Sequence, residues 1–398
     1  MGKIFSKLPA FSADYSGAAS VFYDMNGILV TYDAGSCAGS YWMTDEPRMT
    51  HDVKNIFSAG LREKKIILGA DREIKEQIER TCEELGAECV SIFGTPVPTA
   101  IGIDFQGLSR EVQKVTGLPV FGINTSGLDF YDVGQRKSYE SLLEYCVQTN
   151  AENLADVNVI GATPLDMWDL NQIKDMIQFL KNAGAKNPAV WGANGKLREI
   201  GGADGAKLNI AVSVSAIPIV KEMNRKFGTP YLVGYPVGKV QTAWWSAEVH
   251  AILQKTGEYT GRKMKESCGD KTRLKEDKKV DKSILIIGEQ VASNSLRQML
   301  KAEFGFERVD VVSYFQMFEE YMAKNDAKLE WETDLTELLS ERMPYDIIIG
   351  DPFYDSLLPY TPDKKIQLPH IAVSYNMFLD NSPNFFGEKG NQYFQLVL

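Results

Sequence analysis

The stretch Gly27-Ile28-Leu29-Val30-Thr31-Tyr32-Asp33-Ala34-Gly35-Ser36-Cys37-Ala38-Gly39-Ser40-Tyr41 decides the fold that this sequence predicts. Residues 28–31 are apolar or β-branched, which predicts a short buried strand. The small residues that follow let the backbone turn sharply, and one thiol, Cys37, stands among them. In α/β proteins a residue just past a strand end lies at the edge of the sheet where ligands bind. Taken alone, the thiol is better explained as a small structural turn residue.

The same strand-and-helix plan recurs in three blocks. The predicted strands of the first block are 27–32, 65–69, 89–94 and 119–124, and its predicted helices are Asp71–Leu85, Phe105–Thr116 and 133–148. The second block has strands at 157–162, 189–193, 208–214 and 231–234, with a helix at 165–183. The third has strands at 283–288, 309–313, 346–350 and 370–374, with a helix at 293–304. Strands alternating with helices indicate βαβ units, so the sequence predicts an α/β protein with mainly parallel sheets.

Each block is predicted to form one Rossmann-like domain, which gives domain I at 1–150, domain II at 151–261 and domain III at 283–398. Between the second and third domains, residues 262–282 contain nine Lys or Arg and five acidic residues. This composition is typical of a solvated linker, and a basic interaction patch is the alternative.

Composition excludes several classes of function. The net charge of −10 argues against nonspecific binding to nucleic acid or to an anionic membrane. We find no apolar run long enough for a signal peptide or a membrane span, so a cytoplasmic protein is expected. Five cysteines without framework spacing fit a reducing compartment.

Two further loops are predicted to meet the Cys37 turn at one edge of the first sheet. One is the stiff stretch 94–104, which contains Pro96, and the other is Asn124-Thr125-Ser126-Gly127. Three loops from one sheet, two of them polar or thiol-bearing, predict a binding site. The alternative is that the loops are simple strand-to-helix connections.

Few residues of this chain suit other kinds of binding or catalytic site. The turns at 69–71, 161–163 and 288–290 join strands to helices but complete no nucleotide-binding motif. The three histidines are scattered, which disfavours a histidine metal site or a Ser-His-Asp triad. Cys82, Cys89 and Cys146 occupy positions predicted to be buried and apolar.

Several motifs together resemble the nitrogenase component 1 superfamily. Asp33-Ala34-Gly35-Ser36-Cys37 is similar to the cluster-cysteine turn Gly-x-x-Gly-Cys of that family, with Ser36 where Gly is usual. The segments that also match family patterns are 58–70, 101–104, 120–127, 192–197 and 207–210. The family includes nitrogenase catalytic subunits, their cofactor-assembly scaffolds, protochlorophyllide and chlorophyllide reductases and the nickel-sirohydrochlorin reductive cyclase. The resemblance implies the nitrogenase component 1 type of three-domain α/β fold.

The chain departs from the family pattern at four places. Residues 14–18 contain no cysteine, and Pro96 occupies the place of the family's third cysteine. Ala211-Val212-Ser213 stands where nitrogenase holds its large cofactor by cysteine, and Gly134-Gln135-Arg136 lies near its active-site histidine. An iron-molybdenum cofactor bound in the nitrogenase manner and the reduction of dinitrogen are therefore not expected.

The resemblance implies that Cys37 ligates an iron–sulfur cluster of the [4Fe-4S] type. Such clusters take four protein ligands, so one cysteine must share the cluster across a subunit interface. A homodimer supplies two thiols, and a heterodimer with a paralogue bearing three cysteines supplies four. We prefer the heterodimer. The residues implied around the cluster are Gly35, Ser36, Cys37, Pro96, Thr125 and Ser126.

The function that the resemblance implies is the catalytic subunit of a two-component reductase. A separate iron–sulfur ATPase, similar to nitrogenase reductase, would use ATP and deliver electrons, and the substrate would bind in the cleft between domains. The cleft residues implied are Gln135, Ser213, Ser215, Tyr235 and Asn376. The substrate stays open between a tetrapyrrole, a small sulfur compound and another molecule. Two alternatives also stay open: an assembly scaffold for a metallocluster or tetrapyrrole, and a non-catalytic cytoplasmic ligand-binding protein.

Overall fold

The computed structural model describes residues 6–52, 54–62, 71–149, 155–167, 169–254 and 279–398. Within these ranges the strands form three sheets, and every strand pair in them is parallel. Helices connect successive strands, as parallel pairing requires. This arrangement confirms the predicted α/β class.

The strand bounds follow the three predicted blocks. The first sheet has the order β2-β1-β3-β4 and contains β1 (Ile28–Tyr32), β2 (Ile56–Ser58), β3 (Val90–Gly94) and β4 (Val120–Ile123). The second has the order β6-β5-β7-β8 and contains β5 (Val157–Ala162), β6 (Pro188–Gly192), β7 (Leu208–Ala211) and β8 (Tyr231–Val233). The third has the order β11-β10-β9-β12-β13 and contains β9 (Val280–Ile287), β10 (Phe306–Ser313), β11 (Ala327–Lys328), β12 (Ile347–Gly350) and β13 (Lys364–Gln367).

The helices lie between these strands. Those of the first block are α1 (Asp14–Phe22), α2 (Ser36–Ser40), α3 (Asp71–Leu85), α4 (Pro96–Ala100), α5 (Phe105–Thr116) and α6 (Tyr131–Thr149). The second block has α7 (Asn171–Asn182), α8 (Leu197–Ile200), α9 (Ile217–Phe227) and α10 (Gly238–Gln254). The third has α11 (Gln290–Phe304), α12 (Glu332–Glu341), α13 (Ile371–Ser374) and α14 (Glu388–Val397). None of the described helices combines the length and the apolar character needed to cross a membrane.

Each sheet has a point at which its strand order reverses. The chain places the second strand on one side of the first and a later strand on the other side, so β1, β5 and β9 each have neighbours on both sides. Ligands of open α/β sheets bind at such points, beyond the carboxyl ends of the strands. The residues that follow these strands are therefore the first to inspect for a site.

The three sheets share hydrophobic clusters. One cluster contains Phe93 of the first sheet and Trp191 of the second, and another contains Val159 of the second and Ile284 of the third. Because buried apolar side chains pack against neighbours from two sheets, the sheets are held together by burial as well as by chain connections.

Helices α1 and α6 cross at two glycines. A Cβ placed on Gly17 would lie 1.9 Å from the carbonyl oxygen of Tyr131, and one placed on Gly134 would lie 1.7 Å from that of Asp14. No side chain fits at either position, so the two backbones touch here. This contact fixes the start of α1, which carries Tyr15, relative to the long helix that carries Gln135.

Most predicted elements are confirmed, including the helices Asp71–Leu85 and Phe105–Thr116. The predicted strand at 370–374 is wrong, because that apolar run forms the buried helix α13. The edge strand is instead β13, which has a single buried residue, Ile366, and so gives no apolar run. β2 was missed for the same reason.

Two other predictions lie wholly or partly outside the described residues. The predicted strand at 65–69 is not among the described residues, and neither are residues 262–278 of the predicted linker. β9 begins at Val280, three residues before the strand predicted at 283. The domain boundaries stay a prediction.

Candidate functional site

The turn after β1 places Cys37 in the first turn of α2. Gly35 adopts φ = 112°, a left-handed conformation that favours glycine, and this lets the chain reverse into the helix. Asp33 fastens the turn, because one carboxylate oxygen accepts the Ala38 N–H at 3.0 Å and the other accepts the Ser58 hydroxyl. The Cys37 side chain is half-buried. The thiol is therefore held by a defined backbone at the edge of the first sheet.

Three hydroxyl groups surround the Cys37 sulfur. Those of Ser36, Thr95 and Tyr15 lie within hydrogen-bonding distance of it. Burial raises the pKa of the thiol, and the nearby Asp33 charge raises it further, while the hydroxyls oppose this shift. Activated nucleophilic cysteines have a lowered pKa, so Cys37 has no signature of a nucleophile.

The two loops predicted to meet the Cys37 turn contact each other and the start of α1. A Cβ placed on Gly127 would lie 2.7 Å from Pro96 Cδ and 3.3 Å from Tyr15 Cε1. The Asp14 carboxylate accepts the backbone N–H groups of Ser126 at 2.8 Å and Gly127 at 2.7 Å. The loops that follow β3 and β4 therefore meet the α1 segment that also carries Tyr15.

Thr125 occupies a structural position in this arrangement. Its hydroxyl donates to the Gly94 carbonyl oxygen at 2.7 Å, and its side chain is fully buried. It ties the end of β3 to the loop after β4. The loop positions predicted as one site, Gly35, Ser36, Cys37, Pro96, Thr125 and Ser126, thus lie on three loops joined by direct contacts.

The described part of the chain does not supply enough ligands for a complete metal cluster. No group of three or more His, Cys, Asp or Glu side chains suited to a metal exists among the described residues. Cys82, Cys89 and Cys146 are buried in apolar surroundings, and burial raises the pKa of each thiol to about 11 or 12. Cys268 lies outside the described residues. At the edge of the first sheet the described chain offers one thiol.

Four exposed apolar side chains lie on the chain segments next to the Cys37 turn and next to the two loops that meet it. Met43, which follows α2, is 75% exposed, and Leu128, which follows Gly127, is 81% exposed. Val97 and Ile101, on α4 and directly after it, are also exposed. We call these four residues the apolar rim. A grouping of exposed apolar side chains around one site is typical of an interaction surface.

A second group of polar side chains lies where the three sheets meet. The Gln135 amide nitrogen donates to the Thr163 hydroxyl and to an Asp166 carboxylate oxygen, each at 2.7 Å. Its amide oxygen accepts the Ser215 hydroxyl at 2.8 Å, and Ser213 lies 2.8 Å from Ser215. All five side chains are buried. Gln135, Ser213 and Ser215, predicted from sequence as cleft residues, therefore contact one another directly.

Three carboxylates fasten the sheets to one another at this junction. Asp166 follows β5 and binds α6 through the amide described above. Glu289 precedes α11 and accepts the Val214 N–H, beyond β7, at 2.7 Å. Asp132 on α6 accepts the Gln316 N–H, beyond β10, at 2.7 Å. Each carboxylate joins elements from two of the three blocks, so together they close the junction.

Burial raises the pKa of all three carboxyls. That of Glu289 rises to about 7 and that of Asp132 to about 6, although backbone N–H groups donate to both. The pKa of Asp166 lies well above its ordinary value, because burial and the Glu289 charge both disfavour the anion. Burial lowers the pKa of His370 to about 4, so its neutral ring donates from Nε2 to the Leu165 carbonyl oxygen at 2.6 Å.

The junction leaves little free space. The cavity bounded by Asp166, Glu289, Ser293 and His370 is about 10 Å³, which is room for one water molecule. The apolar cavity beside Tyr235 is equally small. In this conformation neither of these two cavities admits a ligand larger than water.

The other two predicted cleft residues lie apart from the Gln135 group. Tyr235 is buried, and its hydroxyl has no hydrogen-bond partner within the described chain. Asn376 is exposed and donates to the Met43 carbonyl oxygen at 3.1 Å, which places it beside the apolar rim. The structure therefore does not bring Asn376 to the junction.

Sequence reasoning missed Tyr15, Asp166 and Glu289. Asp166 and Glu289 are the first acidic residues after β5 and β9, a position that could have identified them. Tyr15 gives no such signal, because it reaches Cys37 only through the crossing of α1 over α6.

The sequence matches the family described as nitrogenase component 1 type oxidoreductase over residues 13–386, which confirms the resemblance. The iron-molybdenum cofactor biosynthesis protein NifE of Methanococcus maripaludis is 24% identical over 230 residues, 55% of this chain and 47% of the relative. NifE of Bradyrhizobium diazoefficiens is 23% identical over 188 residues, 46% of this chain and 33% of the relative. The chain thus matches half or less of the length of these curated relatives.

Among solved structures, "Nitrogenase Cp1 at pH 5" has the same fold. The TM-score is 0.65 at 15% identity, over 100% of this chain and 90% of that one. A second structure, "Nitrogenase Cp1 at pH 6.5", gives a TM-score of 0.64 with the same identity and coverage. At this identity the likeness establishes the fold.

Proposed function

Since the chain belongs to the nitrogenase component 1 type oxidoreductase family, we propose that it is a catalytic-component subunit of a nitrogenase-like two-component reductase. It acts in the cytoplasm with an ATP-dependent iron–sulfur reductase as electron donor, and its substrate is not dinitrogen. The observation that carries the proposal is a single half-buried thiol, Cys37, beside the apolar rim. The proposal assigns to Cys37 one ligand position of a cluster shared with a second subunit.

The fold itself supports the shared arrangement. One thiol cannot hold a cluster of four ligands, and the described residues supply no others at this edge. The partner must therefore contribute the rest. A second copy of this chain adds one equivalent cysteine, whereas a homologous subunit with three cysteines completes the set, so we favour the heterodimer. A [4Fe-4S] cluster, when bound, supplies one-electron transfer.

The residues around Cys37 have separate roles in this proposal. Asp33 and Gly35 fix the turn, so the sulfur is already placed before any partner binds. The hydroxyls of Ser36 and Tyr15 are available as hydrogen-bond donors to a thiolate, whereas that of Thr95 donates to the Tyr32 carbonyl oxygen at 3.1 Å. The apolar rim excludes water once the partner covers it. Pro96 and Ser126, on the other two loops, complete the lining of the site.

We place the substrate at the junction of the three sheets, against Gln135, Ser213 and Ser215, with Tyr235 on its apolar side. These side chains now bond to one another, and the remaining cavity is about 10 Å³. A substrate larger than water must therefore separate them. Opening the junction breaks the bonds that Asp166 and Glu289 make between blocks.

The second candidate function is a scaffold for cofactor assembly. The curated relatives at 23–24% identity are named as cofactor biosynthesis proteins, which is the observation in its favour. A scaffold would hold a metallocluster or tetrapyrrole and pass it on without redox turnover. The closed junction is compatible with this role, because such cargo would occupy it only for part of the cycle.

Anaerobic isolation of the native complex tests the proposal. We expect a brown protein with a homologous subunit bound, with iron and acid-labile sulfide that dithionite bleaches. Cys37→Ala is expected to lose the iron, and Cys82→Ala, a buried thiol outside this site, is expected to keep it. A colourless, iron-free protein would reject the reductase and favour a ligand-binding role. Release of the bound cluster to an acceptor protein, without turnover, would instead support the scaffold.

A further inference from the structure

Strand β13 forms one edge of the third sheet. It pairs with β12, and no strand of the described chain pairs with its other side. The N–H groups of Lys364 and Leu368 donate toward β12, at 3.1 and 2.8 Å. Because backbone polar groups alternate along a strand, those of Lys365 and Gln367 point away from the sheet. The free edge therefore presents donors and acceptors in the spacing of an extended chain.

A groove of about 500 Å³ runs along this edge. Its floor is the strand itself, in which Ile366 is buried. Its other wall is apolar and consists of Phe378 and the last turns of α14 with Tyr393, Leu396 and Val397. Leu396 is 86% exposed. An unpaired strand edge beside an apolar wall accommodates a backbone and its side chains at once.

The residues that line the groove include two basic ones and no acidic one. The basic residues are Lys364 and Lys365, whereas the whole chain carries a net charge of −10. Lys365 pairs with Asp355 at 3.1 Å, but both side chains are partly exposed, and ion pairs of this kind contribute little to the stability of the fold. Lys364 donates to the Leu398 carbonyl oxygen at 3.1 Å. A second copy of this chain would bring lysines against lysines, which disfavours pairing between copies.

We propose that this edge is a docking site for an extended acidic peptide segment of a partner protein. The segment adds to the third sheet as a new strand, and its backbone pairs with Lys365 and Gln367. Every second side chain enters the groove toward Leu396 and Tyr393. Because side chains alternate between the two faces of a strand, its carboxylates face Lys365, which lies on the opposite face of β13 from Lys364. The surface lies on the third sheet, apart from Cys37, so the proposal does not depend on the proposed function.

Fluorescence anisotropy of the full chain with labelled octapeptides tests the proposal. We expect a peptide of alternating Glu and Val to bind at least tenfold more tightly than one of alternating Lys and Val. Lys365→Gln is expected to weaken binding several-fold, whereas Lys282→Gln, an exposed lysine at the start of β9, leaves it unchanged. Equal affinity for both peptides, or no binding of the acidic one, would overturn the proposal.

Backbone pairing is tested by Gln367→Pro. Proline removes an N–H that points away from β12, so the pairing with β12 is kept and the outer edge is blocked. We expect at least a tenfold loss of affinity. Leu396→Asp, on an exposed wall residue, is expected to give the same loss even where Gln367→Pro does not fold. Unchanged binding in Leu396→Asp, or a dimer of the free chain that Gln367→Pro abolishes, would contradict the peptide site.

Discussion

The carboxylate of Glu289 accepts the backbone N–H of Val214 at 2.7 Å. Glu289 precedes α11 in the third block, and Val214 lies beyond β7 in the second, so one side chain fastens the carboxyl ends of two sheets. The same carboxylate caps α11 through the N–H groups of Val291 and Ala292, at 3.0 and 2.8 Å. The cap of α11 and the attachment of the third sheet to the second thus depend on one buried carboxylate, that of Glu289.

This burial predicts a dependence of stability on pH. The pKa of Glu289 is raised to about 7 in the folded chain, so between about pH 4.5 and 7 the folded state binds more protons than the unfolded state. The free energy of unfolding therefore falls as the pH rises through this range. Glu289→Gln is expected to flatten the decline, by up to about 1.4 kcal/mol per pH unit. Urea unfolding between pH 5 and 8 measures it.

Other groups at the junction titrate in the same experiment. Asp132 and Asp166 have raised pKa values and contribute a decline of the same sign, whereas His370, whose pKa burial lowers to about 4, contributes a rise in the free energy of unfolding up to about pH 6.5. These contributions are common to both proteins, so the difference in slope between the variant and the native chain isolates that of Glu289. Glu341→Gln, an exposed glutamate at the end of α12, serves as the control and should leave the slope unchanged. An identical slope in Glu289→Gln and the native chain would contradict the assignment.

Removing Gln135 is predicted to destabilise the junction. Gln135→Ala takes one buried hydrogen-bond partner from each of Asp166, Thr163 and Ser215, which costs about 2 to 4 kcal/mol although Asp166 keeps its bond from Tyr131 and Ser215 its bond with Ser213. Ser215→Ala removes two bonds, one to Gln135 and one to Ser213, and should cost about 1 to 3 kcal/mol. Because the two residues are bonded, the double variant is expected to cost less than the sum. Chemical denaturation of the three variants gives the coupling, and strict additivity would show that the bond is absent.

Close packing of α1 on α6 makes Gly134 intolerant of any side chain. A Cβ there would lie 1.7 Å from the Asp14 carbonyl oxygen, so the helices must separate to admit it. We expect Gly134→Ala to destabilise the chain by at least about 3 kcal/mol. Gly39→Ala is the matched control, because that helical glycine has no atom within 4 Å of a Cβ. Thermal unfolding compares the two, and equal melting temperatures would disprove the steric argument.

The sequence predicted the elements that carry a clear hydrophobic pattern. Strands such as β1 and β5 are buried along their whole length, and amphipathic helices such as α5 begin and end at capping residues. The edge strands β2 and β13 were missed, because an edge strand with one buried residue has no apolar run. Helix α13 was mistaken for a strand, since a short buried run fits either structure.

The candidate site was predictable only in part. The position of Cys37 after β1 follows from local sequence, and the loops of Pro96 and Ser126 follow from parallel strand order. The contact of Tyr15 with Cys37 does not, since it depends on two helices that cross at glycines. Nor does local sequence show that Ser215 meets Gln135, because this bond joins residues 80 positions apart.

The reactivity of Cys37 provides a prediction that needs no metal. Alkylation requires the thiolate, and burial and the Asp33 charge raise the pKa of this thiol. The reaction with iodoacetamide at pH 7.5 is therefore expected to be slow and to accelerate as the pH rises. Asp33→Asn removes the charge but keeps an oxygen for the Ala38 N–H, so we expect a rate about threefold higher or more. Tyr15→Phe removes a hydrogen bond to the thiolate and should lower the rate.

Opposite changes of the Cys37 alkylation rate in Asp33→Asn and Tyr15→Phe distinguish an effect on the pKa of the thiol from an effect on its exposure. A change that merely uncovered the sulfur would raise the rate in both, whereas the hydrogen bond and the charge act on the pKa in opposite directions. Peptide-resolved mass spectrometry in a Cys268→Ser background follows Cys37 alone, and the buried Cys89 serves as an internal reference that should stay unlabelled in the folded chain. Faster labelling of Cys37 in Tyr15→Phe would mean that the tyrosine shields the sulfur rather than stabilising its charge.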